Sequence, residues 1–362
     1  MWQEPDVIRD DLRRIGAAGW VPWYALRDRT VLITGATGLI GRTLTKALLW
    51  HALQHDTGTR VVALVRDKRK ATQTFAPALD AGAPLSCVQG NVQTLQDLGE
   101  PVHFVVHGAS VTSSREIVTN PVGTIATALR GTERILELAR DAQVASVVYL
   151  SSVEAYGAPH GSQRIAESDL LGFDPLVVRN CYPESKRMAE AVCAAYRAQH
   201  GVPAKILRPT LTFGPDIARG ENRVFAQFAR SVIEGHDIVL RTDGKTERSY
   251  LYTADAVTAV LTVLLGGENG QAYNAANEAT YCSVRAMAEL VARTCGDGRT
   301  AVRVEPQDLS TSGYAPEMQM DLDTTRLRAL GWQPTFGLAD MYRRMIAGMQ
   351  ADDLRGDRHP DS

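Results

Sequence analysis

Tyr182 and Lys186 stand four residues apart in the run Tyr182-Pro183-Glu184-Ser185-Lys186. On a helix that spacing stacks both side chains on one face, one turn apart. A phenol of ordinary pKa, about 10, is a poor base near neutrality; a neighbouring ammonium lowers that value until the phenol can exchange a proton with an alcohol hydroxyl. The pair therefore suits hydride-transfer chemistry, the hydroxyl proton going to the phenol as the carbinol carbon gives up a hydride. Many amphipathic surface helices carry a Tyr and a Lys at this spacing, so the pair needs a second site to give it meaning.

That second site lies upstream, in Thr34-Gly35-Ala36-Thr37-Gly38-Leu39-Ile40-Gly41. The apolar run Thr30-Val31-Leu32-Ile33 precedes it and a helical pattern, Leu44, Ala47, Leu48, follows, so the glycines fall at a strand-to-helix turn, the context a dinucleotide motif requires. Gly35 permits the tight turn, Gly38 lets backbone approach a pyrophosphate, and Gly41 allows helix to pack on strand. Thr37, Leu39 and Ile40 fill the turn, where the helix N-terminus offers free N–H groups and positive dipole. The next strand, Val61 to Val65, runs into Arg66-Asp67. An acid at a strand end of this kind binds the ribose diol of NAD, and an Arg accommodates the extra phosphate of NADP. The order Arg66 then Asp67, with Lys68 and Arg69 beside it, favours NADP over NAD, although Asp67 is within reach of the ribose.

Elements alternate from there: strands at 31–34, 61–65, 85–89, 104–107, 147–150 and 204–207, with helices at 41–54, 68–80, 121–142 and 182–200. The pattern is that of an α/β, Rossmann-like doubly wound parallel sheet, whose ligands bind beyond the carboxyl ends of the strands. We expect an N-terminal helical extension over 1–29, a dinucleotide-binding domain over 30–208, a smaller C-terminal substrate-binding lobe over 209–350 with return segments to the main domain, and a disordered polar tail over 351–362.

Ser151-Ser152-Val153-Glu154 after the fifth strand, His107-Gly108-Ala109-Ser110 after the fourth, Gly131-Thr132, Arg208-Pro209 with Gly214-Pro215, and Leu330-Gly331-Trp332-Gln333-Pro334 complete a series. Together with the glycine turn and the Tyr/Lys pair it resembles the extended short-chain dehydrogenases/reductases, the nucleotide-sugar epimerase/dehydratase family, over nearly the whole chain. The resemblance implies a catalytic set of Ser152, Tyr182 and Lys186, a tightly bound NAD or NADP, and cofactor contacts from Asn91, Val92, Gly108, Ala109, Ser110 and Pro209 besides the glycine turn. It also implies substrate contacts from Ser110, Ser152, Arg179, Arg223 and Arg248, and a homodimer through the helices at 121–142 and 182–200. Dehydratases of this family carry Asp then Glu after the catalytic hydroxyl residue. This chain has Val153 then Glu154, so the carboxylate that serves as base is kept without its acid partner, and one Glu would act as both. The run Asp174 to Arg187 resembles that of UDP-glucuronate decarboxylases, in which Arg179 would hold a substrate carboxylate.

Composition narrows the setting. The 362 residues, 44% of them hydrophobic, suffice for a large domain and a smaller lobe. A net charge of −2 with interspersed signs gives no basic stripe for nucleic acid. Five scattered cysteines without a C-x-x-C spacing indicate neither a disulfide frame nor a metal site. With no signal-peptide pattern and no membrane-length apolar run, a soluble cytoplasmic protein without membrane partners is expected. The sequence reading is a redox-neutral lyase acting on the sugar of a nucleotide sugar or nucleoside, water loss placed ahead of CO2 loss because elimination needs the base. Epimerase, ketoreductase and non-catalytic dinucleotide-binding readings are the alternatives.

Overall fold

The computed structural model describes residues 2–95, 98–157, 164–218, 220–296, 298–307 and 318–356. Apolar runs rich in Val, Ile and Leu form β1 (Thr30–Thr34), β2 (Arg60–Val65), β3 (Leu85–Gln89), β4 (Phe104–His107), β5 (Ser146–Leu150) and β6 (Ala204–Pro209). Further strands follow: β7 (Leu211–Phe213), β8 (Ile238–Leu240), β9 (Glu247–Tyr252), β10 (Ala272–Ala275), β11 (Asn277–Ser283), β12 (Val302–Val304) and β13 (Gln319–Met320). Seven strands build one sheet in the order β10-β6-β5-β4-β1-β2-β3, every neighbouring pair parallel. The order reverses between β1 and β4, and in open sheets of this type the ligand crevice opens at that point, beyond the carboxyl ends.

The helices are α1 (Asp6–Gly16), α2 (Leu39–His55), α3 (Lys68–Thr74), α4 (Ala76–Asp80), α5 (Ser114–Thr119), α6 (Pro121–Asp141), α7 (Cys181–His200), α8 (Val224–Glu234), α9 (Thr253–Gly266), α10 (Val284–Cys295), α11 (Thr325–Arg328) and α12 (Leu338–Gly356). Alternation along β1 sends Val31 and Ile33 into the core beneath α2 and α9, and Leu32 into the core beneath α6 and α7. Helix α6 starts where Asn120 caps it, its side chain accepting from Gly123 N at 3.2 Å, with Pro121 in the first turn.

Three sequence expectations need correction. The single helix over 68–80 is two, α3 and α4, separated at Phe75. Pro77, in the first turn of α4, has no N–H to give the preceding turn, and its ring opposes helical backbone before it. Residues 351–356 of the expected disordered tail continue α12; the rest of that tail lies outside the described residues. The seventh strand, β10, returns to the edge of the main sheet beside β6, a short Ala-Tyr-Asn-Ala run with no apolar signal of its own.

The extension packs on the main body. Ile8, Leu12 and Ile15 of α1 are buried against α2, α9 and α12. On the same face the Asp11 carboxylate accepts from the Tyr252 hydroxyl and from Arg344 Nη2 of α12, each at 2.6 Å. Before the helix, Glu4 meets the buried ammonium of Lys46 at 3.0 Å, and Asp216 meets the same ammonium at 3.2 Å.

Candidate active site

The glycine turn closes β1 onto α2. Gly35 has φ +73°, and a Cβ there would lie 2.7 Å from the Gly108 carbonyl oxygen after β4. A Cβ on Gly41 would lie 2.2 Å from the Gly35 oxygen. Both glycines are thus demanded by backbone packing. Gly38 differs: a Cβ there would meet only the Gly35 oxygen, at 3.3 Å. It is exposed at the start of α2, with no side-chain cap on the helix. The first-turn N–H groups of Leu39, Ile40 and Gly41 therefore face outward beside the one glycine whose missing side chain the protein does not itself fill, an arrangement that fits an incoming pyrophosphate.

Below the turn, Thr34 Oγ1 accepts from the N–H groups of Gly108 and Ala109 at 3.2 and 3.1 Å and lies 2.7 Å from His107 Nδ1. With both lone pairs used, its own hydrogen goes to Nδ1, so the proton of His107 sits on Nε2 and is donated to Thr132 Oγ1 at 3.2 Å. Burial, then the charge of Lys186, pushes His107 down to about 3. A neutral imidazole thus ties β1, β4 and α6 together beneath the crevice.

The reacting groups come from the end of β5 and the start of α7. Ser152 ends its strand in extended backbone and caps the turn 153–156, its hydroxyl accepting from Glu154 N at 3.1 Å. The hydroxyl also bonds the Tyr182 phenol, favouring its ionised form. Burial is the larger effect and, with the negative charge of Glu154, pushes the phenol up to about 12 against the opposing influence of Ser152, Arg179 and Arg223. Lys186 lies with Nζ 5.8 Å from the Tyr182 ring centroid and donates to the Leu150 carbonyl at 2.7 Å. Burial pulls this ammonium down to about 8. Against the sequence expectation, Lys186 is not among the groups that lower Tyr182. The ammonium is directed to a strand-end carbonyl, and desolvation of the phenol wins.

Arg179 reaches Glu154 at 2.9 Å and lies 5.9 Å from the Tyr182 ring centroid. Both members of this pair are part-exposed, so the carboxylate faces the crevice with the guanidinium beside it. Arg223 precedes α8, pairs with Glu221 at 2.5 Å and stacks on Phe225; its charge also acts on Tyr182. Arg248 sits half-buried on β9, and no contact joins it to this group among the described residues.

These features, with the switch point of the sheet, are those of a dinucleotide-binding fold, and comparison decides the family. A family profile, that of the NAD dependent epimerase/dehydratase family, matches residues 31–276. The chain belongs to that family. A dTDP-glucose 4,6-dehydratase of Streptomyces niveus is 27% identical over 318 residues, covering 86% of this chain and 89% of that protein. UDP-glucuronic acid decarboxylase 1 of Xenopus tropicalis is 27% identical over 333 residues, covering 90% of this chain and 73% of its own. Among solved structures, DesIV of Streptomyces venezuelae, a dTDP-glucose 4,6-dehydratase with NAD and TYD bound, superposes with a TM-score of 0.73 at 24% identity, covering 90% of this chain and 98% of that one.

Arg66 is exposed where β2 ends, while the Asp67 carboxylate is engaged as the cap of α3, accepting from Lys70 N at 2.9 Å. The Asn91 side-chain oxygen accepts from Gln93 N at 3.0 Å and keeps a second lone pair for a further donor. Val92 is buried, and a Cβ on Gly131 would touch it at 2.8 Å; its side chain belongs to the contact with α6, leaving only backbone for a cofactor. Ala109 and Ser110 lie half-buried after β4, and Pro209 is buried at the end of β6.

Sequence reasoning missed a buried network behind Lys186. Glu190, one turn further along α7, accepts from Arg208 Nε at 2.9 Å, Arg208 Nη2 at 2.5 Å and the Ser151 hydroxyl at 2.5 Å. The spacing Tyr182, Lys186, Glu190 was readable as one helix face. That the third member bonds a buried Arg on β6 depends on strand pairing.

Proposed function

We propose that the protein is a redox-neutral lyase acting on the sugar of a nucleotide sugar through a transient ketone, with loss of water as the favoured outcome. The observation that carries this reading is the Glu154 carboxylate, which faces the crevice beside Tyr182 with Arg179 at 2.9 Å. The dinucleotide, when bound, supplies the hydride acceptor and returns the hydride at the end of the cycle. Tyr182 takes the hydroxyl proton of the carbinol, with Ser152 bonding the same oxygen, and Lys186 supplies the nearby positive charge. The ketone acidifies the neighbouring C–H, and Glu154 takes that proton. The electron pair expels hydroxide from the next carbon, and the proton held by Glu154 leaves with it as water. Val153 is apolar and buried, so Glu154 fills both roles. Arg223 and Arg248 are assigned to the diphosphate, for which a planar fork of donors is suited.

Decarboxylation is the second reading, favoured by the part-exposed Arg179 guanidinium, which would exchange Glu154 for a substrate carboxylate. Incubating the protein with nucleotide sugars and nucleotide uronic acids and weighing the products separates the two. Loss of one water, abolished in Glu154→Gln, supports the first; loss of carbon dioxide, abolished in Arg179→Ala, replaces it with the second.

For the cofactor we read NADP from the end of β2, where Arg66 is exposed and Asp67 is engaged as a cap. The NAD of the Streptomyces venezuelae structure argues the other way. Calorimetric titration decides: NADP should bind about tenfold more tightly than NAD, as one exposed charge-assisted contact of about 1.4 kcal/mol gives, and Arg66→Ala should remove the difference. Equal or tighter binding of NAD by the natural chain refutes this choice.

We also read a homodimer. Val122 and Ile125 of α6 and Met188 of α7 are exposed, at 77%, 39% and 55%, an apolar face that a second copy would cover. Light scattering should give twice the chain mass, falling to the monomer in Val122→Glu.

A further inference from the structure

Arg187 follows Lys186 on α7 but points elsewhere. Its Nε and Nη2 donate to the Ala155 carbonyl at 3.1 and 3.0 Å, and Nη2 also reaches the carbonyls of Tyr156 at 3.3 Å and Leu171 at 3.0 Å. The guanidinium stacks on Phe173 at 4.5 Å. Ala155 and Tyr156 belong to the short turn that carries Glu154. Gly157 ends that turn with φ +97°, and a Cβ there would lie 2.8 Å from both the Leu171 oxygen and a Phe173 ring carbon. The Leu171 N–H in turn donates to the Tyr156 carbonyl at 3.1 Å.

The segment on which the turn leans is itself fixed to the second lobe. Ile165 exchanges backbone bonds with Asp321 and Asp323, and Arg164 pairs with Asp321 at 3.0 Å and Glu278 at 3.3 Å. One side chain thus joins three parts: the helix with Tyr182 and Lys186, the turn with Glu154, and the connection before α7, which is itself bonded to the C-terminal residues Glu278, Asp321 and Asp323.

We propose that Arg187 is a positioning residue that sets Glu154 against the Tyr182 site, and so governs the proton transfer of the second half-reaction while leaving the first untouched. The first half uses Ser152, Tyr182 and Lys186, which Arg187 does not contact. The second uses Glu154, whose turn Arg187 holds by the carbonyls of the next two residues, Ala155 and Tyr156. The assignment of the halves rests on the lyase reading above; the mechanical role does not.

Two measurements on the full chain test it. Hydrogen exchange, read without substrate, should show the amides of residues 155–157 and 171 exchanging at least tenfold faster in Arg187→Ala, with those of 184–186 and 188–190 unchanged. Unchanged exchange at 155–157 overturns the mechanical role whatever the reaction proves to be. With a converted substrate, Arg187→Ala should oxidise the sugar at close to the natural rate, reduced dinucleotide accumulating. Loss of the leaving group should fall about 10²-fold, the penalty of a reacting group misplaced by about 1 Å. Arg187→Lys should recover part of it, since an ammonium can still bond one or two of the carbonyls. An equal fall in both halves overturns the proposal, because it marks general loss of structure around α7.

Discussion

Replacing Tyr182 by Phe is expected to lower turnover by about 10²- to 10⁴-fold, the usual worth of a positioned acid–base group, with dinucleotide affinity within a few-fold of the natural chain. The ring remains, so packing against Val111 and Ile117 is kept, and only the hydroxyl in reach of Ser152 is lost. The sensitivity follows from the electrostatics. Burial and Glu154 push the phenol up to about 12, so its exchange of a proton with a substrate hydroxyl depends on nearby positive charge. A difference titration, natural chain minus Tyr182→Phe, should show no phenolate from this residue up to a pH of about 10, the ordinary tyrosine value, when the dinucleotide is absent. Appearance of phenolate near neutrality in the unloaded protein would contradict the geometry described for Lys186. Full turnover by the Phe variant would remove Tyr182 from the chemistry.

Glu190→Ala should destabilise the fold by about 3–5 kcal/mol, the range for breaking a buried ion pair from one side. Arg208 Nε and Nη2 and the Ser151 hydroxyl all lose their acceptor together, and the Arg208 and Glu190 side chains are only 10% and 9% exposed, so water does not readily replace it. Denaturant unfolding measures the loss. Replacing both partners with apolar residues of similar volume should recover most of it, because the main penalty is the stranded guanidinium. A loss below about 1 kcal/mol in the single variant, the scale of an exposed pair, would show that the network is solvated in solution.

How much of this was legible beforehand depended on whether a signal is local. Strands β3 and β4 and the bounds of α6 and α7 followed from apolar runs and helical spacing, because each buries its own apolar residues on the sheet. Tyr182 and Lys186 lie on α7, whose bounds the helical spacing gave, whereas Ser152, just beyond β5, was singled out by the family resemblance. Where the reading fell short, the deciding partner was remote in sequence. Strand β10 is held by its register with β6. Lys186 has the right spacing from Tyr182, yet its ammonium goes to Leu150, a partner that only the sheet brings near. Arg187 looked like part of a motif; its three carbonyl acceptors emerge only once 155, 156 and 171 are folded together.

The seat of α1 has a consequence for biosynthesis. The Asp11 carboxylate and Arg344 are separated by 333 positions, and closing a segment of that length carries an entropic penalty of about 5 kcal/mol by the logarithmic law for flexible loops. A ribosome delivers α1 well before α9 and α12, so the apolar stripe of Ile8, Leu12 and Ile15 stays without its full cover until α12 has been made. Helix α2 can shield one side early; α9 and α12 complete the shelter later. The nascent chain therefore carries a sticky segment whose permanent neighbour is made 333 positions later, which makes the interval between the synthesis of α1 and that of α12 its period of greatest exposure to aggregation and to chaperones.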